Sequence, residues 1–386
     1  MRDKFVSKRY WKDQVTPMGK LEELTKRYDD VIALSLGDPD LTTNIKIIEN
    51  AFADAKAGHT KYTDYRGDPE LRAEVAGFYK EEYDVAVADE EIFIIAGGCI
   101  GMHLVLESVL DDGDEVILQA PYFTPYAQQV QLSRGIPVEL PTYEEEGFQV
   151  NPDRLQGIIT ERTRAIIINT PSNPTGSCQT KETMERIADI AKKYDILVIA
   201  DDIYTVYSFT ESFVPMMSLP GMRERTVTIN SASKDFTMTG WRIGNIIAPE
   251  NIIKTIQQVN ENVMFTAPSV SQRALIHAIR NRKDIQPSMV NEYRERVMYA
   301  AERINKIPNM SVLPPQGTFY LLINIKATGL TSEEVCMRIL EEAHVVAIPG
   351  VAFGKCAEGY IRIACTVNTD ILKEAFDRIE KVSIFR

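Results

Sequence analysis

Apolar residues fall along the chain in two rhythms. Short, fully apolar, β-branched runs recur at "IFII" (92–95), "EVILQAPYF" (115–123), "RAIIINTP" (164–171), "ILVIA" (196–200), "TVTIN" (226–230) and "RIGNIIA" (242–248). Between them the period lengthens to that of a helix. In residues 180–194, Met184, Ile187, Ala188 and Ala191 follow i, i+3, i+4, i+7, with Glu182 early and Lys192 and Lys193 late to suit the helix dipole. Apolar strands separated by amphipathic helices predict an α/β fold with a mostly parallel central sheet covered on both faces. "AGGCIG" (96–101) reads as a glycine turn leading into a helix at "MHLVLESVL", and "VIALSLGDPD" (31–40) as a short strand ending in a turn.

The texture changes near residue 285. "NEYRERVMYAAERINK" predicts a long charged helix, followed by the apolar run "GTFYLLINI", another helix and "YIRIACT". A smaller lobe with antiparallel strands is expected there. The expected division is an N-terminal segment over 1–45 joining that lobe, a large domain over 46–285 and a small C-terminal domain over 286–386.

Composition narrows the partners. A net charge of −12 argues against nucleic acid, while leaving room for a local basic pocket. The five cysteines, at 99, 178, 336, 356 and 365, lie at least nine residues apart, so no zinc spacing and no redox pair is present. No metal is expected. The charged start "MRDKFVSKRYWKDQ" lacks an apolar signal core, and no run approaches a membrane span. A soluble cytoplasmic protein is the expectation.

Chemistry concentrates where apolar runs end, the edge at which open α/β sheets bind ligands. Lys234 follows such a run, with Ser231, Ser233 and Arg242 close by as groups that grip an anion. A lysine desolvated beside cations loses its proton readily and attacks carbonyls; a surface lysine is the ordinary alternative. Asp201 in "IADDIY" either caps a helix or keeps a ring nitrogen protonated, with Tyr204 three residues on. Asn173 sits in "TPSNPTG", whose first role is a turn. Gly97, Gly98 and Gly101 match neither nucleotide-binding glycine motif, yet amides at a helix start hold phosphate. Phe123 in "PYFTPY" is either core or a platform for a planar group. Arg362, inside the apolar "YIRIACT", needs either a salt bridge or a carboxylate ligand.

The order and joint content of "SLGDPD", "SNPTG", "ADDIY" and "SASKDFTMTGWRIG" resemble the class I and II aminotransferases of fold type I, in particular their bacterial aspartate and aromatic subgroup. The resemblance covers nearly the whole chain. It implies pyridoxal 5'-phosphate (PLP) as cofactor, Lys234 as the lysine that forms the Schiff base and shuttles the proton, and Asp201 paired with the pyridine nitrogen. It further implies Asn173 and Tyr204 on the ring oxygen and Phe123 stacked on the ring. Gly98, Cys99, Ser231, Ser233 and Arg242 would form the phosphate cup, and Tyr62 would reach the phosphate across a homodimer interface. Arg362, Asn173 and the Gly37 turn would take the substrate α-carboxylate. The implied reaction moves an amino group from an L-amino acid to a 2-oxo acid such as 2-oxoglutarate; a PLP-dependent carbon–sulfur β-lyase or decarboxylase is the alternative on the same scaffold. Cys99 departs from the family, because relatives specific for aspartate often carry lysine there, so a strict preference for dicarboxylates is not expected.

Overall fold

The computed structural model describes residues 5–7, 25–210 and 212–386. Most of the N-terminal "MRDKFVSKRYWKDQ" stretch, and much of the expected 1–45 segment, lies outside them.

Seven strands form the central sheet, in the spatial order Ile92–Ile95, Gly244–Ile247, Thr226–Ser231, Leu197–Asp201, Thr163–Asn169, Glu115–Ala120, Ile136–Pro141. Only Gly244–Ile247 runs against its neighbours. The four other neighbouring pairs are parallel, as fully apolar strands between helices require. Apolar side chains on the two sheet faces feed separate cores. Ile166, Ile168 and Val198 pack with Met184, Ile187 and Ala191 of the helix Lys181–Tyr194, while Ile167, Ile199 and Ile229 pack with Leu104 and Val105 of the helix Gly98–Val109. Each such side chain contributes about 1.5–3 kcal/mol on burial, so truncating Ile167 to Ala should cost about 2–5 kcal/mol.

Local signals set the ends of these elements. Thr180 caps Lys181–Tyr194 by accepting from the Thr183 amide, and Asp195 ends it in the left-handed conformation, φ 52°. Three ends differ from expectation. The helix after the glycines starts at Gly98, so Gly98 and Cys99 belong to its first turn and only Gly97, φ +88°, remains in the bend. The strand at 115 stops at Ala120, because Pro121 has no amide to continue the ladder. The long charged helix begins at Arg282, nine residues early, and carries Pro287 near its start.

A further core joins Val297, Ala301 and Ile304 of that helix to Phe319, Leu321 and Ile323, and to Ile361, Ile363, Leu372 and Phe376. Over it lies a three-stranded antiparallel sheet, Ile348–Pro349, Tyr360–Ala364 and Tyr320–Asn324. The N-terminal strand Ile32–Ala33 pairs in parallel with Val345–Val346, so the segment leading to Gly37 is anchored to the C-terminal part of the chain. Leu34 and Tyr204 belong to this same core, which brings residues 35–38 over the ends of the central strands.

Candidate active site

Neighbouring strand ends bring the candidates together. Asn169 and Asp201 are paired in register at the carboxyl ends of their strands. The Asn169 side chain donates to the Asp201 carbonyl (2.9 Å) and accepts from the Asn173 amide (2.8 Å), which fixes the turn carrying Asn173. Asn169 was not singled out in the sequence; its one signal is a polar residue closing an apolar run.

Asp201 is 5% exposed. Tyr126 donates its phenolic proton to Oδ2, while Oδ1 has no partner. Burial pushes the carboxyl up to about 6, opposed by the bonds from Tyr126 and the Ile203 backbone. A protonated ring nitrogen at Oδ1 would satisfy the orphaned oxygen and favour its ionised form. Phe123 sits three residues before Tyr126, edge-on to it at 5.6 Å, so one turn supplies both a ring platform and the carboxylate clamp.

Lys234 lies in the short helix Ala232–Asp235 that follows Thr226–Ser231, and its Nζ donates to the Gly37 carbonyl. Burial lowers its ammonium pKa to about 8, assisted by the charges of Arg242 and Arg362 and opposed by Asp38. A substantial neutral fraction is therefore present near pH 8, as an attacking or proton-accepting amine needs.

An anion cradle adjoins this lysine. The N-cap of Gly98–Val109 is Gly97, with no side-chain cap, so the first-turn amides have no capping acceptor. A Cβ at Gly97 would meet Arg242 Nη2 at 2.5 Å, and one at Gly98 would lie 3.9 Å from the Ser231 Cβ. Arg242 donates to the Thr239 carbonyl (2.8 Å) and pairs with no carboxylate among the described residues. The Ser231 hydroxyl contacts Ser233 Oγ (2.9 Å) and the Ile243 carbonyl (3.2 Å). Bare amides, a guanidinium and two hydroxyls fit a phosphate monoester.

Arg362, 6% exposed, stands in the strand Tyr360–Ala364. Its Nη1 donates to Asn173 Oδ1 (3.3 Å) and its Nη2 to the Ser35 carbonyl, while Nε has no partner. The rings of Tyr320 and Phe353 lie 4.6 and 5.2 Å from its guanidinium carbon. It makes no salt bridge with any described carboxylate, so the ordinary explanation for a buried arginine fails. Tyr204 is buried, with its hydroxyl 3.2 Å from that of Tyr320, and burial raises its pKa so that it stays a donor. Tyr62 stands apart: it is 80% exposed, edge-on to Phe265 at 4.9 Å. Cys99 is exposed at the cradle. Tyr126 and Tyr320 were also not singled out, since an aromatic in an apolar stretch reads as core.

The donor set fits PLP: an amine for its aldehyde, an orphaned carboxylate oxygen for its ring nitrogen and a cradle for its phosphate. Comparison with known proteins agrees. The profile of "Aminotransferase class I and II" matches residues 29–379. An aspartate aminotransferase of Pyrococcus horikoshii is 38% identical over 99% of this chain and 98% of its own length. An aromatic-amino-acid aminotransferase of Thermococcus litoralis is 38% identical over 94% of each chain. A solved Thermus thermophilus aspartate aminotransferase, a double mutant, superposes with a TM-score of 0.92 at 31% identity, covering 99% of this chain and 100% of that one. The chain belongs to the class I and II aminotransferases, enzymes that use pyridoxal phosphate to move an amino group between an amino acid and a 2-oxo acid.

Proposed function

We propose that this aminotransferase does not strongly prefer aspartate over amino acids with aromatic or aliphatic side chains, with 2-oxoglutarate as acceptor. The observation that carries this is Arg362, a buried guanidinium with no carboxylate partner among the described residues. It offers one carboxylate receptor, and Arg242, the other arginine whose charge acts on Lys234, is placed at the phosphate cradle. Cys99, at the position where lysine would serve a distal carboxylate, is a weak donor without charge. Among the described residues, the α-carboxylate is then the anionic group of the donor for which a buried cation is provided.

Bound PLP supplies an aldehyde that captures amines and a pyridinium ring that withdraws electrons. In this account the protein's own groups do the rest. Gly98, Cys99, Ser231, Ser233 and Arg242 hold the phosphate, Phe123 covers the ring, Asp201 keeps its nitrogen protonated, and Asn173 and Tyr204 donate to its oxygen. Arg362, Asn173 and the Gly37 turn orient the α-carboxylate, so the Cα–H bond faces Lys234. The neutral Lys234 amine accepts that proton and returns it on the other side of the transfer.

A cytoplasmic homodimer completes the proposal. Tyr62, Tyr65, Val263, Met264 and Phe265 form an exposed apolar patch, which suits a surface covered by a second copy and would place Tyr62 at the neighbour's phosphate. Domains at 1–45, 46–285 and 286–386 remain the proposed division, supported by the Arg282–Ile304 helix, whose Ile285 packs in one core with Ile94 and Ile247 while its Val297, Ala301 and Ile304 pack in another with Phe319 and Ile361. The test is kcat/KM for aspartate and phenylalanine with 2-oxoglutarate, read as glutamate formed. Comparable values are expected. A preference for aspartate above about 100-fold, about 2.7 kcal/mol, would reveal a distal-carboxylate receptor and overturn the proposal.

A further inference from the structure

One buried side chain touches three groups of the site. Tyr320, 3% exposed, opens the strand Tyr320–Asn324. The antiparallel register sets Arg362 opposite Leu322, so Tyr320 is its diagonal neighbour on the same face. The Tyr320 ring lies 4.6 Å from the Arg362 guanidinium carbon, and its hydroxyl lies 3.2 Å from the Tyr204 hydroxyl. On its third side the hydroxyl abuts Gly37, where any Cβ would overlap the phenol oxygen.

We propose that Tyr320 is a positioning residue serving both halves of the site: its ring holds Arg362 ready for the substrate carboxylate, and its hydroxyl orients the Tyr204 proton toward the cofactor's ring oxygen. The proposal rests on the roles given above to Arg362 and Tyr204. A guanidinium without a counter-ion is costly to bury, and the electron-rich ring face offsets part of that cost. Nη1 and Nη2 already reach Asn173 and Ser35, so the ring supports the cation on a side those donors do not use. Between the two phenols either oxygen can donate. Tyr204 has one proton, so if it donates into the pocket it must accept from Tyr320. The two functions sit on different atoms and can be separated.

The experiment compares Tyr320→Phe with Tyr320→Leu in the PLP-loaded enzyme. Dissociation constants for 3-phenylpropionate and succinate, carboxylates that cannot react, report on Arg362; the pH midpoint of the bound cofactor's absorbance reports on Tyr204. Tyr320→Phe should bind both carboxylates within about twofold of the parent, shift the absorbance midpoint and lower kcat about tenfold with little change in KM. Tyr320→Leu should show the same shift and, in addition, bind the carboxylates about tenfold or more weakly. An unmoved midpoint in Tyr320→Phe, or unchanged carboxylate binding in Tyr320→Leu, overturns the proposal. Arg362→Ala separates this from failure of the underlying assignment: if that variant binds the carboxylates as the parent does, the role given to Arg362 is wrong.

Discussion

Tyr126 donates its phenolic proton to Oδ2 of Asp201, and Oδ1 of that buried carboxyl is left without a partner. A buried acid with one oxygen clamped and the other bare is held in one orientation at a cost to the fold. The clamp comes from a residue 75 positions away in sequence, on the same turn as Phe123. The ring platform and the carboxylate orientation are thus set by one local structure.

That cost makes a testable prediction. Burial pushes the Asp201 carboxyl up to about 6, against about 3.9 in an unfolded chain. Between these values the folded protein keeps a proton that the unfolded chain loses. Its contribution to stability therefore falls as pH rises from about 4 to about 6 and stays lost above. Asp201→Asn removes that penalty, on the order of 2–3 kcal/mol. Without cofactor, the variant should melt higher than the parent at pH 7.5 and level with it at pH 4, while transamination falls about 10³-fold or more. Equal melting temperatures at pH 7.5 would show that burial imposes no such penalty, and activity within a few-fold of the parent would make Asp201 a structural cap.

Lys234 gives the opposite sign. Its folded pKa of about 8 lies below the unfolded value near 10.4, so the unfolded chain binds more protons between them and this group's contribution to stability rises with pH across that window. Reductive ¹³C-methylation of the cofactor-free protein should yield a Lys234 resonance titrating near 8. A midpoint near 10.4 would show that neither burial nor the two arginines act on it.

Much of the fold was legible because the central strands are short, buried and dominated by β-branched apolar residues, which have few alternatives between amphipathic helices. The placement of Lys234, Asp201 and Asn173 at strand ends was legible because each follows such a run. Other features were hidden for physical reasons. Glycines at 97 and 98 read as a turn because glycine disfavours helix interiors, yet the first helical turn needs few of its amides, so the helix starts at Gly98. The long charged helix likewise begins nine residues before the charged run that predicted it, at Arg282, with Pro287 inside its first turns. Tyr126 and Tyr320 act through hydroxyls whose partners, Asp201 and Tyr204, lie 75 and 116 residues away, and no local pattern carries that information.

The shared site is tested by complementation. Tyr62→Phe and Lys234→Ala subunits, each poorly active alone, should regain activity when mixed, since a heterodimer then has one site carrying both changes and one carrying neither. No recovery in confirmed heterodimers would place Tyr62 outside the neighbour's site.

On the proposed mechanism, Lys234 is the amine that holds the cofactor and moves the proton. Borohydride reduction of the PLP-loaded protein, followed by peptide mapping, tests it most directly. The reduced pyridoxyl group is expected on Lys234 alone, and a Lys234→Ala protein should take up PLP without covalent label and without turnover. A label on any other lysine of the parent would contradict it.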